Sequence, residues 1–195
     1  MGLLRVIRFI RTSAKRFYNK YRFKKFGKKS MIISPLHISG GQKILIGDRT
    51  IIQYKSWLAA KPLTGYKDVE LRIGNNCAIG HFNEIYATHS IIIEDSVLTA
   101  DRVYISDNLH GYADPDIPVI SQPIRQVSPV RIGEGSWLGV GVAVIGASIG
   151  RHCVIGANSV VTKDIPDYSV AVGIPAKVIK RYNFQSCKWE KVNSK

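Results

Sequence analysis

Along most of this chain an apolar residue returns at every sixth position. The hexads read Ile46-Gly-Asp-Arg-Thr-Ile, Ile52-Gln-Tyr-Lys-Ser-Trp and Leu58-Ala-Ala-Lys-Pro-Leu, and after a break Ile73-Gly-Asn-Asn-Cys-Ala, Ile79-Gly-His-Phe-Asn-Glu and Ile85-Tyr-Ala-Thr-His-Ser. A two-residue slip leads to hexads that start at Ile93, Thr99 and Ile105. An insertion separates these from Ile132, Leu138 and Val144, and a one-residue deletion precedes Ile149, Ile155 and Val161. Such a period predicts a triangular parallel β-helix with three hexads per turn, each coil covering the next. The leading residue of each hexad points into a narrow core, and the small residue four places later shares that interior. Glycine after the leading residue is expected to serve a corner that needs an unusual φ.

Breaks in the period become loops that leave the prism, one near 62–68 and a longer one over 110–130 that is rich in Pro and Asp. The expected organisation is a helix over 1–30, the β-helix over 31–174, and a tail over 175–195 in which Pro175 to Tyr182 forms a short helix packed across a groove.

The N-terminal segment has a different pattern. Leu3, Leu4, Ile7, Ile10, Ala14, Phe17 and Tyr21 recur at three- and four-residue spacing, a stripe on one side of a helix whose other side is cationic. Arg5, Arg8 and Arg11 interrupt any apolar run, so neither a signal peptide nor a membrane span is predicted, and Val6 stands where myristoylation needs Ser or Thr. This basic amphipathic helix suits either an anionic membrane surface or packing on the body or a neighbouring subunit. A nucleic-acid arm is disfavoured, because phosphate binding does not require helical apolar spacing.

Charge follows the same division. The 195 residues carry 28 Lys and Arg against 14 Asp and Glu, a formal +14, and residues 1–29 hold eleven basic side chains with no acid. The remainder is close to neutral, so the basicity belongs to the N-terminus and not to the prism. An apolar content of 45% excludes a disordered chain. Cys77, Cys153 and Cys187 are odd in number and lack metal spacing, which argues for a reducing, cytoplasmic location and against a disulfide framework or zinc knuckle.

The closing stretch from Ile155-Gly-Ala-Asn-Ser-Val-Val-Thr-Lys-Asp-Ile-Pro to Val170-Ala-Val-Gly-Ile-Pro-Ala-Lys-Val-Ile-Lys180, together with the repeat, resembles the hexapeptide-repeat acyltransferases. It is most similar to the sugar O-acetyltransferases of bacterial polysaccharide and lipopolysaccharide clusters. The resemblance implies a left-handed parallel β-helix, acetyl-CoA as donor, a saccharide acceptor and no permanently bound cofactor. The thioester slot needs two walls, so a homotrimer with active sites at subunit seams is implied. The basic helix in place of a compact acidic-polar cap favours a lipid-linked acceptor at the inner face of the cytoplasmic membrane.

Acyl transfer to a hydroxyl needs a base near neutrality and donors for an oxyanion. Of five histidines, only His110 closes a hexad where the chain departs into its long loop, and the family's catalytic histidine stands there. Asp107 is the candidate to orient its imidazole. His81 and His89 lack the spacing of the zinc-binding β-helix relatives, so no metal is expected, and His152 reads as structural. Asn83 matches an acceptor-contacting asparagine of the family, although a corner asparagine reads equally well; Glu84 and Tyr86 are candidates of the same kind. Trp137 and Gly139 match the thioester end, and with Val140 in place of serine only the backbone there can serve the oxyanion. Ala157, Thr162 and Lys163 match pantetheine and phosphate contacts, and Lys177, Lys180 and Arg181 would meet the 3′-phosphate end. The alternatives are N-acetylation of an amino sugar or antibiotic-type acceptor, and a non-catalytic β-helix scaffold docked on membrane.

Overall fold

A computed structural model describes residues 22–192, and from Phe23 onward the chain is all-β apart from two 3-10 turns. Three parallel sheets form the faces of a triangular prism. The first face runs through Lys25–Phe26, Ile44–Ile46, Glu70–Ile73, Ser90–Ile93 and Val130–Ile132. The second runs through Met31–Ile32, Ile51–Ile52, Ala78–Ile79, Leu98–Thr99, Trp137–Leu138, Val154–Ile155 and Ser169–Val172. The third runs through His37–Ser39, Trp57–Ala60, Glu84–Ala87, Tyr104–Ser106, Ala143–Ile145 and Val160–Val161.

The leading residues form the core. Ile46, Ile52, Leu58, Ile79, Ile105, Ile132 and Leu138 are all fully buried, each worth about 1.5–3 kcal/mol relative to exposure. The two-residue slip has a simple cause. First-face strands turn two residues inward, as in Ile44 and Ile46, Leu71 and Ile73, Ile91 and Ile93, and Val130 and Ile132.

Position five of the hexad bridges successive coils. Ser30 Oγ donates to Gly47 O at 2.6 Å, Thr50 Oγ1 to Gly74 O at 2.7 Å and Ser136 Oγ to Gly150 O at 2.8 Å. The same hydroxyls accept from the backbone of the next coil, at Thr50, Cys77 and Cys153. Cys77 and Cys153 act as weak donors in this ladder, to Glu94 O and Pro166 O, and burial pushes both thiols up.

The glycine after each leading residue serves closeness and not an unusual φ. A Cβ on Gly27 would lie 2.1 Å from Gly47 O, and one on Gly74 would lie 2.7 Å from the Glu94 backbone. Positive φ falls two residues later, on Arg49, Asn76, Phe82, His152 and Asn158, where the corner itself bends.

Both ends depart from expectation. Lys25–Phe26 already pairs with Leu45 and Ile46, and Phe23 is buried, so the first coil occupies 23–39 and a helix cannot extend to residue 30. The rest of the predicted N-terminal helix lies outside the described residues. No helix forms at Pro175 to Tyr182: Lys177–Asn183 runs antiparallel to Ser169–Val172 and turns back through Lys188–Lys191, extending the second face. Alternation in Lys177-Val-Ile-Lys-Arg-Tyr, with two β-branched residues, suits a strand, and the free edge of Ser169–Val172 supplies its partner. The Asn183 side chain closes the turn by accepting from Gln185 and Ser186 N–H.

Candidate active site

Four coils from the N-terminal end, the chain leaves the third face after Ser106 and forms a hairpin in which Asn108–His110 pairs antiparallel with Ile124–Gln126. A two-way bond between Ser106 Oγ and the Asn108 backbone, with Asn108 Nδ2 donating to Tyr86 O at 3.1 Å, fixes the base of this hairpin to the third face. His110 stands at the outer end of the strand, exposed, and none of the described residues hydrogen-bonds its ring. Gly111 follows because the hairpin is tight there: a Cβ would sit 2.6 Å from Pro123 O.

Asp107 does not orient that ring. It is fully buried, and its carboxylate accepts from the N–H groups of Thr88, His89 and Ser90, each at 2.8 Å, and from Thr88 Oγ1 and Asn108 Nδ2. With that many donors satisfied, its capacity is spent on the 88–90 turn. Asn83 is likewise no acceptor contact. It is fully buried at position five of its hexad, with Nδ2 donating to Ala100 O at 2.9 Å and Oδ1 accepting from Val103 N at 3.0 Å, the bridge that serine makes elsewhere.

Glu84 and Tyr86 lie on the outer surface of the third face beside Tyr104 and Trp57. Burial, and next the neighbouring Tyr104, raises the Tyr86 phenol, so it remains a neutral donor at physiological pH. Trp57 meets Tyr86 edge-on at 5.9 Å and His37 at 5.7 Å, an aromatic row that hexad reading missed because its members are outward positions with no period of their own. Also missed was Gln126. Its side chain accepts from Thr64 Oγ1 at 2.7 Å and donates to Asp107 O at 2.7 Å, and its Oε1 shares the single Thr88 hydroxyl hydrogen with Asp107, so it ties the two loops together.

The remaining candidates lie elsewhere on the prism. Trp137, about half exposed, is on the second face, in an outward row with Val154, Val170 and Lys180. Three strand spacings of about 4.8 Å separate its ends by about 14 Å. Lys177 and Arg181 flank Lys180 on the C-terminal hairpin. Val140 and Ala157 are exposed at the corner between second and third faces, beside buried Gly139; Thr162 and Lys163 are exposed where the third face ends. At the Val140 corner His81 N–H is capped by Asp101, whereas the N–H groups of Asp101, Val140 and Ala157, on the next three rungs, meet no acceptor among the described residues. His110 and this row of amides therefore flank opposite edges of the third face, and a single prism does not enclose the space between them. Cavities of about 530 and 330 Å³ open near Arg131 and Arg72, and none of the predicted site residues lines either. Among the described residues no group of His, Cys, Asp and Glu is placed to hold a metal, and no helix is long and apolar enough to cross a membrane.

This geometry has relatives. The family profile described as hexapeptide repeat of succinyl-transferase matches residues 129–163. A maltose O-acetyltransferase structure from Clostridium difficile is 30% identical with a TM-score of 0.50, over 84% of this chain and 72% of that one. The chain belongs to the hexapeptide-repeat acyltransferases. Within that family, a galactoside acetyltransferase solved with coenzyme A superposes with a TM-score of 0.62 at 25% identity, over 94% of this chain and 79% of that one. A probable acetyltransferase of Mycobacterium tuberculosis is 47% identical over 121 residues, 62% of this chain and 39% of that protein. WbbJ of Escherichia coli, a candidate lipopolysaccharide biosynthesis O-acetyl transferase, is 40% identical over 124 residues, 60% of this chain and 63% of that protein. The chain thus spans less than two thirds of the length of these two curated relatives.

Proposed function

We propose that this hexapeptide-repeat chain is an O-acetyltransferase that moves an acetyl group from acetyl-CoA to a hydroxyl of a saccharide, with His110 as general base. The observation that carries the reading is the pairing of an unshared, exposed imidazole on a braced hairpin with a row of unclaimed backbone N–H groups at Asp101, Val140 and Ala157. Pantetheine is itself a chain of amides, and such a row is its natural partner. The coenzyme A in the galactoside acetyltransferase structure and the saccharide named in WbbJ's description support the choice of substrates.

In the ternary complex the His110 imidazole takes the proton of the acceptor hydroxyl as that oxygen attacks the thioester carbonyl carbon. The Val140 N–H donates to the oxyanion that forms. Collapse breaks the carbon–sulfur bond, and the imidazolium returns the proton to the departing CoA sulfur. Glu84 and Tyr86 line the acceptor side. Thr162 and Lys163, with Lys177, Lys180 and Arg181, hold the phosphate portions of CoA.

The seam is closed by a neighbouring copy in a homotrimer of left-handed prisms. Met31, Ile51, Ala78, Leu98, Trp137, Val154 and Val170 form one continuous outward row on the second face, all apolar, with Met31, Leu98 and Trp137 about half exposed; such a row supports burial against a second copy. Residues 1–29 attach the assembly to the inner face of the cytoplasmic membrane, which suits a lipid-linked acceptor.

Calorimetric titration with CoA, followed by acetyl-CoA turnover with neutral and amino sugars, tests the reading. CoA binding, transfer to a hydroxyl, and a loss of about 10²–10⁴-fold in His110→Ala with CoA affinity retained are expected. Transfer only to amines would assign N-acetylation, and absence of CoA binding would leave a scaffold.

A further inference from the structure

The first coil is unlike every other rung. All fourteen Asp and Glu residues of the chain lie at or beyond Asp48, so residues 23–47 carry Lys24, Lys25, Lys28, Lys29 and Lys43 with no acid among them. The strands Lys25–Phe26, Met31–Ile32 and His37–Ser39 are the terminal strands of their three sheets, which places this charge on one end of the prism. Lys24, Lys25, Lys28 and Lys29 are exposed, and none of their ammonium groups is paired among the described residues. Leu36 is 63% exposed on the same coil, with Ile33 at 38%. Basic side chains interleaved with exposed aliphatic ones, confined to one end of a rod, match an anionic lipid surface, where charge attracts and apolar groups enter the headgroup boundary. The opposite end is basic too, with Lys177, Lys180, Arg181, Lys188 and Lys191, but its hairpin also carries Glu190, and Arg151 beside it is paired to Asp167 at 3.0 Å.

We infer that the first coil is itself a docking surface for an anionic bilayer, on which the prism stands end-on. This deepens the membrane part of the proposed function, which rests on residues 1–29; here the part of that stretch folded into the first coil, with the rest of the rung, supplies the contact. Three rung spacings of about 4.8 Å then hold the coil that carries His110 about 14 Å above the first. That height suits an acceptor sugar carried on a lipid.

Co-sedimentation of the full-length protein with phosphatidylcholine vesicles containing 30% phosphatidylglycerol tests this, with pure phosphatidylcholine vesicles as reference. Lys24→Gln with Lys28→Gln should weaken binding to the anionic vesicles about 30-fold, taking about a fivefold loss per basic residue. Leu36→Asp should also weaken it, and Lys188→Gln with Lys191→Gln should leave it within about twofold. Arg8→Gln with Arg11→Gln reports on the arm separately. If the arm pair weakens binding and the first-coil pair does not, the inference fails while the arm reading survives; if only the first-coil pair does, the reverse holds. Equal loss from the Lys188 and Lys191 pair would mean that charge anywhere suffices, and would overturn the inference. Retention on duplex DNA without retention on vesicles would overturn it too. CoA titration of the same variants should be unchanged, which separates docking from the transferase reading.

Discussion

Both oxygens of Asp107 are taken by donors of the 88–90 turn, three of them backbone amides at 2.8 Å. Asp107→Asn presents an NH₂ group to N–H donors and should lower stability by about 1–3 kcal/mol, measured by denaturant unfolding. Because the carboxylate acts through the hairpin base, the pH profile of the remaining turnover should keep its midpoint; a displaced midpoint would instead mark direct contact with the imidazole. Position alone could not decide such roles. The exposed place of His110 was legible because the loop exit is written in the period, whereas Asp107 and Asn83 look chemical by residue type and are consumed by corners. Only the neighbouring coil, below for Asp107 and above for Asn83, tells them apart from surface residues.

At the level of elements, the spacing between coils is set by glycines that follow the leading residues. Gly74→Ala would drive a Cβ into the backbone of Glu94 and the Asp95 carboxyl, and thermal unfolding should report a loss of about 1–3 kcal/mol although φ at Gly74 is not positive. The strands from Ile44 to Val161 were legible because hexads carry large aliphatics at fixed intervals. The first coil was not, since its inward positions Phe23, Ser30 and Ile32 are interrupted by lysines that follow directly on an apparently helical stripe. The C-terminal hairpin was hidden for a different reason. Lys177–Asn183 has little core of its own, and its conformation is imposed by the unpaired edge of Ser169–Val172.

For the molecule as a whole, the outward row from Met31 to Val170 has no covering layer among the described residues. Leu98→Glu in the middle of that row should change folding stability by less than about 0.5 kcal/mol, because the side chain is 47% exposed in the single chain. Light scattering coupled to size exclusion should show the trimer giving way to monomers, with CoA binding lost alongside. A trimer that persists would place the seam on another face.

A stack in which each coil contacts only its neighbours has no inherent length, and nothing in the repeat tells it to stop. The reversal after Ala176 provides the full stop. A parallel rung arriving from another molecule would find a strand running the opposite way, edged by Lys188 and Lys191 and trailing the exposed rings of Phe184 and Trp189. Fibre growth from this terminus is blocked by polarity of direction as well as by charge, so the finite size of the molecule is written in a hairpin that adds little more than Val178 to the hydrophobic core.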